Sequence, residues 1–596
     1  MGLVIIFAIL VIRLGYIQIY QHSKYRAIQV SQAYLKVDTV PENGMILDRN
    51  GEILALSRLV DSVYLVPKEL DNHPAEIQKL ASILGINPSE LSAKISKAVE
   101  DNKLFLWVKR KIDDDISKKV LALNIKGIGT KKEYKRFYPK GTLASHLIGY
   151  RGMDSQALDG MELYADDYLK GEQGYEFLHR DGRRRLFVSD LPEKPSQPGK
   201  NIYLTIDVMI QHIVEKNLRE LCKKYQPASV EALVMKPATG EILAMAQLPS
   251  FDPADYQKSP EKVRHCNIFT DAYEPGSTFK PFVIAAALER GVCTTKDKFF
   301  CENGKYKMGK RTITDHKPYG WLTLPEVVMQ SSNVGMTKIG SKTPKESLYA
   351  MIKRFGFAGT RSGLNIPGEH PGLITSLNKW SNYTTSSVSM GYEVSVNSLQ
   401  LIRAYSVFAN GGYLVEPKLL KEVMDRDNKT VYKNEITPLT KQIISPELSK
   451  QVSTILRGVV MSGTGTAANL KTYAVAGKTG TARKLDANGK YSTQKYRSLF
   501  VAFAPVENLY PVRDRSRGTR LPRPEPDGSG LAMTSLRGRE TTEAISISNG
   551  AEIIVLVLVD EPKGAYYAST VAAPTAGAII EETLKYLKTP SQVARR

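Results

Sequence analysis

The sequence predicts an α+β multidomain chain: an N-terminal membrane helix (1–20), an α+β domain (21–195) and a larger domain (196–590) with helices packed on the faces of a sheet, followed by a tail at 591–596. Three observations predict it. The chain opens on "MGLVIIFAILVI", an uninterrupted apolar run. Its character changes at "EKPSQPGK", 193–200, a stretch rich in Pro, Gly and charge that reads as a linker. Beyond it come strand-like runs, a helical middle, then more strand-like runs and a final helix. At 596 residues the chain exceeds one ordinary core, and 42% hydrophobic with 24% charged residues is a globular balance rather than a disordered one.

As a helix, residues 2–12 cover only about 16 Å, against about 30 Å of hydrocarbon. Counting on through Arg13 to Tyr20 gives enough length if Arg13 snorkels toward the interface. No small-residue cleavage site follows, so the segment reads as an uncleaved signal anchor. Cations follow the apolar run rather than precede it, against the positive-inside rule, and the expectation is a start farther upstream.

In 21–195, "DSVYLVPKEL" alternates like a strand, while "PAEIQKLASILG" and "PSELSAKISKAVED" have helical spacing. The run Arg183-Arg184-Arg185 reads as a solvated face. Farther on, "VMIQHIVEKNLRELCKKY" is a helix and "EALVMKPATGEILAMAQLPSFDP" a hairpin turning at Thr239-Gly240. "KTYAVAGKTGTARKL", "SLFVAFAP" and "EIIVLVLVDEP" are successive strands before the closing helix "APTAGAIIEETLKYL". Residues 510–549, rich in Arg, Pro, Gly and Ser, break this rhythm and read as an insertion without catalytic duty.

The formal charge of +21 is spread along the chain. There is no zinc-finger spacing, Walker loop or RNA-binding aromatic signature, which argues against nucleic acid and leaves anionic lipid or an anionic wall polymer. Cys222, Cys266, Cys293 and Cys301 lack C-x-x-C spacing and a histidine cluster, so neither a metal nor a cofactor is expected. Cys293 and Cys301 are spaced for a small-loop disulfide, but buried thiols are the preferred reading.

The chemistry centres on "DAYEPGSTFKPFVIAAALERG", 271–291. Pro275 and Gly276 end a loop, Ser277 falls at a helix start, and Lys280 shares its face. An amine beside a hydroxyl at the positive end of a helix makes a weak nucleophile usable. Ser-x-x-Lys is a cheap pattern that recurs at Ser259, Ser376 and Ser492, but only the copy at 277 leads into a buried apolar helix. Downstream, "QSSNVGMTKIG" supplies Ser331 and Asn333, and "VAGKTGTARK" supplies Lys478, Thr479, Gly480 and Thr481. Gly480 on a strand leaves room for a substrate backbone, with Lys and Thr as donors for a carboxylate. Ser-Ser-Asn as a turn or cap, and Gly as a hairpin break, are the plain structural alternatives.

The ordered trio resembles the set found in penicillin-binding proteins and class A β-lactamases. "GMILDRNGEILALS" (44–57), "RFYPKGTLASHLIGYRG" (136–152), "LTID" (204–207), "TGEILAM" (239–245) and "GTGTAA" (463–468) are similar to the class B penicillin-binding proteins, over most of the chain. That resemblance implies an α+β pedestal domain and a transpeptidase domain of serine β-lactamase type with an antiparallel sheet. It implies a peptidoglycan D,D-transpeptidase in which Ser277 attacks between the terminal D-alanines of a stem peptide and Lys280 is the base. Ser331 and Asn333 would then relay the proton and orient Lys280 and the substrate amide. Lys478 would depress the Lys280 pKa and, with Thr479 and Thr481, hold the carboxylate, the backbone N–H groups of Ser277 and Thr481 forming the oxyanion hole. β-Lactams would acylate the same serine.

Glu274, the Ser331-Ser332-Asn333 form and the short 149–174 segment look like the division (septal) branch rather than the elongation branch. Implied partners are stem peptides, a polytopic SEDS-type glycosyltransferase and division proteins, with the anchor in the inner membrane and the catalytic domain extracytoplasmic. Asn43 replaces the family's usual Arg, and "RHCNIF" at 264–269 departs from the expected Arg-Asn-Arg run. A β-lactamase or D,D-carboxypeptidase and a non-catalytic division scaffold remain as alternatives.

Overall fold

The computed structural model describes residues 2–26, 34–70, 74–103, 105–180, 186–188, 193–435, 441–486, 488–507 and 550–590. The expected insertion at 510–549, the Arg183-Arg184-Arg185 run and the 591–596 tail lie outside the described residues. An α-helix, Gly2–Gly15, continues as a π-helical turn, Tyr16–Tyr20, with Val4, Ile5, Phe7 and Leu10 exposed. Among the described residues no helix is long and apolar enough to cross a membrane, so the expected membrane helix is not seen as a span.

The chain forms two compact units. The first comprises 1–204, 251–259 and 420–434. The stretch 193–200, read as a linker, is instead clamped by reciprocal backbone bonds: Lys194 with Tyr175, and Gln197 with Glu172. It delivers strand Asn201–Leu204 alongside Ile46–Leu47 in parallel, and Leu420–Met424 pairs with Asn201–Leu204 on the other side. The expected change at 195/196 therefore falls inside this unit, which runs on to Leu204 because strand pairing holds it there.

Alternation in "DSVYLV" belongs to one long strand, Ile53–Leu65, paired with Leu106–Ile112 and Ile128–Phe137. The two helical patterns become Pro74–Leu84 and Pro88–Glu100, the second capped by Asn87, whose side chain accepts from the Ser89 N–H. Their apolar faces (Ile77, Leu80, Leu84; Leu91, Ile95) share a core with Val63 and Leu65. Beside it Glu162, fully buried, accepts from Arg136 Nε at 2.6 Å and from Arg151 Nε at 2.6 Å.

The second unit holds 205–250, 260–419 and 435–596; its elements are numbered here in chain order. Strands β1 (Ser229–Met235), β2 (Ile242–Leu248), β3 (Ala476–Leu485), β4 (Tyr491–Ala504) and β5 (Ile553–Asp560) form an antiparallel sheet in the order β2-β1-β5-β4-β3. The β1–β2 hairpin turns at Gly240, as the sequence predicts, with φ +77°. β5 is buried along its whole length, which is why its sequence is an unbroken apolar run.

Helix α1 (Val208–Tyr225) has the bounds read from the sequence, and Asp207 caps it by accepting from the Met209 and Ile210 N–H groups. It packs with the closing helix α6 (Ala568–Tyr586) on one face of the sheet: Ile210, Val214 and Leu218 meet Ile579, Ile580 and the strand residues Val230, Ala232 and Val557. The unit also contains α2 (Lys280–Glu289), α3 (Asn333–Lys342), α4 (Ser398–Ala409) and α5 (Pro446–Ser462), with Val460 of α5 joining that same core. α2 is apolar all round because it is central, with Phe282 in ring contact with Phe355, Phe357, Tyr405 and Phe408.

Glu162→Gln removes the charge that neutralises two buried guanidiniums. It should cost roughly 3–5 kcal/mol, read as an earlier urea transition of the first unit; an unchanged transition would show that the ion cluster carries no stability.

Candidate active site

Ser277 lies on a 3₁₀ turn, Gly276–Phe279, that runs directly into α2. The α-helix thus starts at Lys280 rather than at Ser277, a turn later than the sequence suggests. Residues three apart eclipse in a 3₁₀ turn, so the shared face is kept, and the Lys280 N–H bonds the Ser277 carbonyl. Ser277 is half-buried, whereas Lys280 is 0% exposed.

The Lys280 ammonium turns to the second motif instead of to Ser277. Nζ donates to the Ser331 carbonyl at 2.7 Å, to Ser331 Oγ at 3.2 Å and to Asn333 Oδ1 at 2.9 Å. Among the described residues no hydrogen bond joins Ser277 Oγ to either lysine. Lys478 comes from the opposite side, on β3, and donates to Ser331 Oγ at 3.0 Å and to the Thr479 carbonyl at 3.0 Å. Both lysines thus use the two lone pairs of one hydroxyl, which leaves its own proton to point elsewhere.

The second motif does two jobs at once. Ser331 adopts a left-handed backbone, φ +57°, which turns both its carbonyl and its hydroxyl toward Lys280. Ser332 caps α3, as the plain structural alternative held, accepting from the Gly335 N–H at 2.9 Å. Its hydroxyl donates to Asp315 Oδ2 at 2.6 Å, and Asp315 Oδ1 accepts from the N–H groups of Asn333 (2.5 Å) and Val334 (3.1 Å). Asn333 Nδ2 is held by the Thr314 carbonyl at 3.0 Å, which fixes the amide so that its oxygen faces Lys280. Asp315 was not singled out from the sequence: it lies 17 residues before Ser332, and no local spacing ties it to the motif.

Burial brings Lys280 down to about 7, with Asp315 pulling the other way. Lys478 is lowered well below the ordinary lysine value, first by burial and then by the charge of Lys280. His316, beside Asp315, is also lowered, mainly by burial, with both lysines contributing.

Gly480 has a packing role that the sequence did not show. A Cβ there would stand 2.8 Å from Thr278 Cγ2 and 3.0 Å from the Pro275 carbonyl oxygen, so the glycine admits the serine-bearing turn against β3. Thr479 is buried and its hydroxyl pairs with Thr464 Oγ1 at 2.6 Å, which gives the "GTGTAA" segment a structural place. Thr481 Oγ1 accepts from the Ala568 N–H of α6 at 3.1 Å, leaving its O–H to donate. Glu274 accepts from Tyr491 OH at 3.2 and 3.0 Å and from the Glu393 N–H at 2.9 Å; burial raises its pKa. The copy of Ser-x-x-Lys at 492 is a turn cap, Ser492 Oγ accepting from the Gln494 and Lys495 N–H groups. Cys266, Cys293 and Cys301 are buried free thiols and Cys222 a half-buried one.

Residues 230–510 match the family described as penicillin binding protein transpeptidase domain, and residues 38–204 the penicillin-binding protein dimerisation domain. Stage V sporulation protein D of Bacillus subtilis is 33% identical over 589 residues, covering 98% of this chain and 84% of that protein. Peptidoglycan D,D-transpeptidase FtsI of Escherichia coli is 29% identical over 549 residues, 91% of this chain and 83% of that protein. The solved structure of penicillin binding protein 3 from Mycobacterium tuberculosis complexed with aztreonam shares the fold, with a TM-score of 0.66 at 22% identity over 93% of this chain and 98% of that one.

Gly480→Ala should push the 275–278 turn off β3 and slow acylation of Ser277 by a serine-directed probe about 100-fold, measured by intact mass. Wild-type kinetics would show that the close approach is not needed.

Proposed function

The chain belongs to the class B penicillin-binding proteins, and we propose that it is a serine-type peptidoglycan D,D-transpeptidase of septal wall synthesis with Ser277 as nucleophile. The observation that carries the residue assignment is the Ser331 hydroxyl shared by Lys280 and Lys478 beside the Ser277 turn. Ser277 Oγ attacks the carbonyl between the terminal D-alanines, its proton passing to neutral Lys280 either directly or through Ser331. The tetrahedral intermediate collapses, D-alanine leaves with a proton returned from Lys280, and an ester joins the stem peptide to Ser277. An amine of a second strand then attacks that ester, gives up its proton along the same route and restores the hydroxyl.

Asn333 orients Lys280 and the substrate amide. Lys478 supplies the positive potential for the terminal carboxylate, with Thr479 and Thr481 beside it, and the backbone N–H groups of Ser277 and Thr481 receive the oxyanion. A β-lactam presents a carbonyl and a carboxylate in the same relation and stops at the ester.

Attachment to the cytoplasmic membrane through residues 2–20, with the catalytic unit outside, is part of the proposal. The exposed apolar side chains of Gly2–Gly15 support it. So is action beside a SEDS-type glycosyltransferase and other division proteins. The Ser-Ser-Asn form of the second motif supports the septal branch, and a fluorescent fusion should gather at septa; an even side-wall distribution would assign it to elongation.

Mass spectrometry of the chain labelled with fluorescent penicillin should place the label on Ser277, absent from Ser277→Ala, and stable for minutes. Release within seconds would mean a hydrolase instead. The pH dependence has a definite sign. Lys280 accepts a proton only when neutral, so below its value of about 7 the acylation rate should fall about tenfold per pH unit, and above it level off. A rate flat through neutrality would remove Lys280 as the base.

A further inference from the structure

The first unit contains a second feature built for a charged ligand. A cavity of ≈ 190 Å³ is lined by Arg110, Lys111, Lys135, Arg136 and Arg151; Tyr256 and one carboxylate, Asp255, paired with Lys258 at 2.5 Å, are also on its wall. Lys111 sits at a β-bulge: between the pairs Asp61–Ile112 and Val63–Lys109 the Leu106–Ile112 strand carries one extra residue. Its backbone is left-handed, φ +55°, a conformation that a non-glycine residue adopts only where its surroundings hold it. The Lys111 N–H donates to Ser62 Oγ at 2.9 Å, which holds the bulge in place.

The cations of this cavity are unequally served. Arg136 and Arg151 are committed to Glu162, and Arg151 also to Asp166 at 2.5 Å. Lys135 reaches Asp113 at 3.2 Å. Arg110 is gripped by Glu133 at 2.6 Å and meets Asp154 at 2.6 Å, although the Asp154 side chain is 73% exposed. Among the described residues Lys111 has no carboxylate in ion-pair range; its ammonium has only Ser155 Oγ, at 3.5 Å. Burial lowers its pKa, against the pull of Glu133 and of Asp154, neither of which reaches ion-pair distance. An ammonium drawn from water without a partner is costly, and an arriving anion would relieve that cost.

We propose that this cavity is a docking site for an acidic segment of a partner protein, whose carboxylate pairs with Lys111 and displaces Asp154 from Arg110. The 153–155 turn already shows what the site accepts: a peptide that lays a carboxylate on Arg110 and a hydroxyl beside Lys111. What it fails to supply is a carboxylate within ion-pair range of Lys111, which Asp154 attracts only from a distance. Tyr256, stacked on Tyr150 at 4.2 Å, adds a flat face for a peptide backbone.

The test titrates the full chain with a blocked, fluorescent hexaglutamate peptide, with hexaglutamine and inorganic phosphate as competitors. Lys111→Gln should weaken binding about tenfold, and Asp154→Asn should tighten it severalfold by removing the internal competitor. A merely structural role for Asp154 would not produce tightening. Binding unchanged in both variants, weaker binding in Asp154→Asn, or displacement of the peptide by equimolar phosphate would overturn the proposal. The urea transition of the first unit reports folding. If Lys111→Gln loses that transition, Asp154→Asn alone decides, tighter binding supporting the site and equal binding refuting it.

Discussion

Two ammonium groups meet on one hydroxyl beside the serine-bearing turn, and much of the second unit can be understood as what that meeting requires. Lys280 and Lys478 are both 0% exposed; burial lowers the proton affinity of each, and the charge of Lys280 lowers that of Lys478 further. Two full charges at that separation in a dry site would repel by several kcal/mol at least, so the pair is stable only with one proton shared out or with dense hydrogen bonding. The fold supplies the bonding. Lys280 has three oxygen acceptors, and Lys478 has two. Asp315, one residue removed through Asn333 and Ser332, offsets part of the positive potential without touching either lysine.

The same arrangement constrains the backbone around it. The donors come from three separated stretches, so a turn, a helix entry and a strand must approach within van der Waals contact. Gly480 lets the serine-bearing turn close on β3. Gly391, φ +85°, plays the matching part on the other side, where a Cβ would fall 1.9 Å from the Gly276 carbonyl oxygen; its own carbonyl accepts from the Gly276 N–H at 3.1 Å. Behind them the aromatic packing of Phe282 fixes α2, so the helix that carries Lys280 has little freedom to retreat.

What was legible in the sequence follows from what is local. Helix α1, the β1–β2 hairpin and the buried β5 strand carry their periods and caps within a dozen residues, and each is found where its pattern lies. Ser277, Lys280, Ser331, Asn333 and Lys478 were legible through composition around short motifs, and the structure brings Lys280, Ser331, Asn333 and Lys478 into one hydrogen-bonded set with Ser277 on the adjoining turn. Asp315 was not, because its function is defined by a loop that folds back on α3. Nor was the return of Phe251–Ser259 and Leu420–Asn434 to the first unit, since alternation announces a strand and says nothing of its partner. The 193–200 stretch has a linker's composition and a clamp's hydrogen bonds, which only long-range pairing reveals.

The position of β3 in the sheet completes the argument. Among the described residues it pairs with β4 alone, and so it is an edge strand whose outer side faces no other strand. Edges of this kind are commonly blunted by charge or by covering elements because they invite strand addition. Here the charge, Lys478, is turned inward to Ser331, and the nearest cover is the turn that bears Ser277. An extended peptide aligned on such an edge gains backbone hydrogen bonds while its carbonyl is carried toward the hydroxyl. Water and an acceptor amine compete only afterwards, for the ester, so the open edge selects an extended peptide as the acyl donor and leaves the choice between transfer and hydrolysis to what approaches that ester.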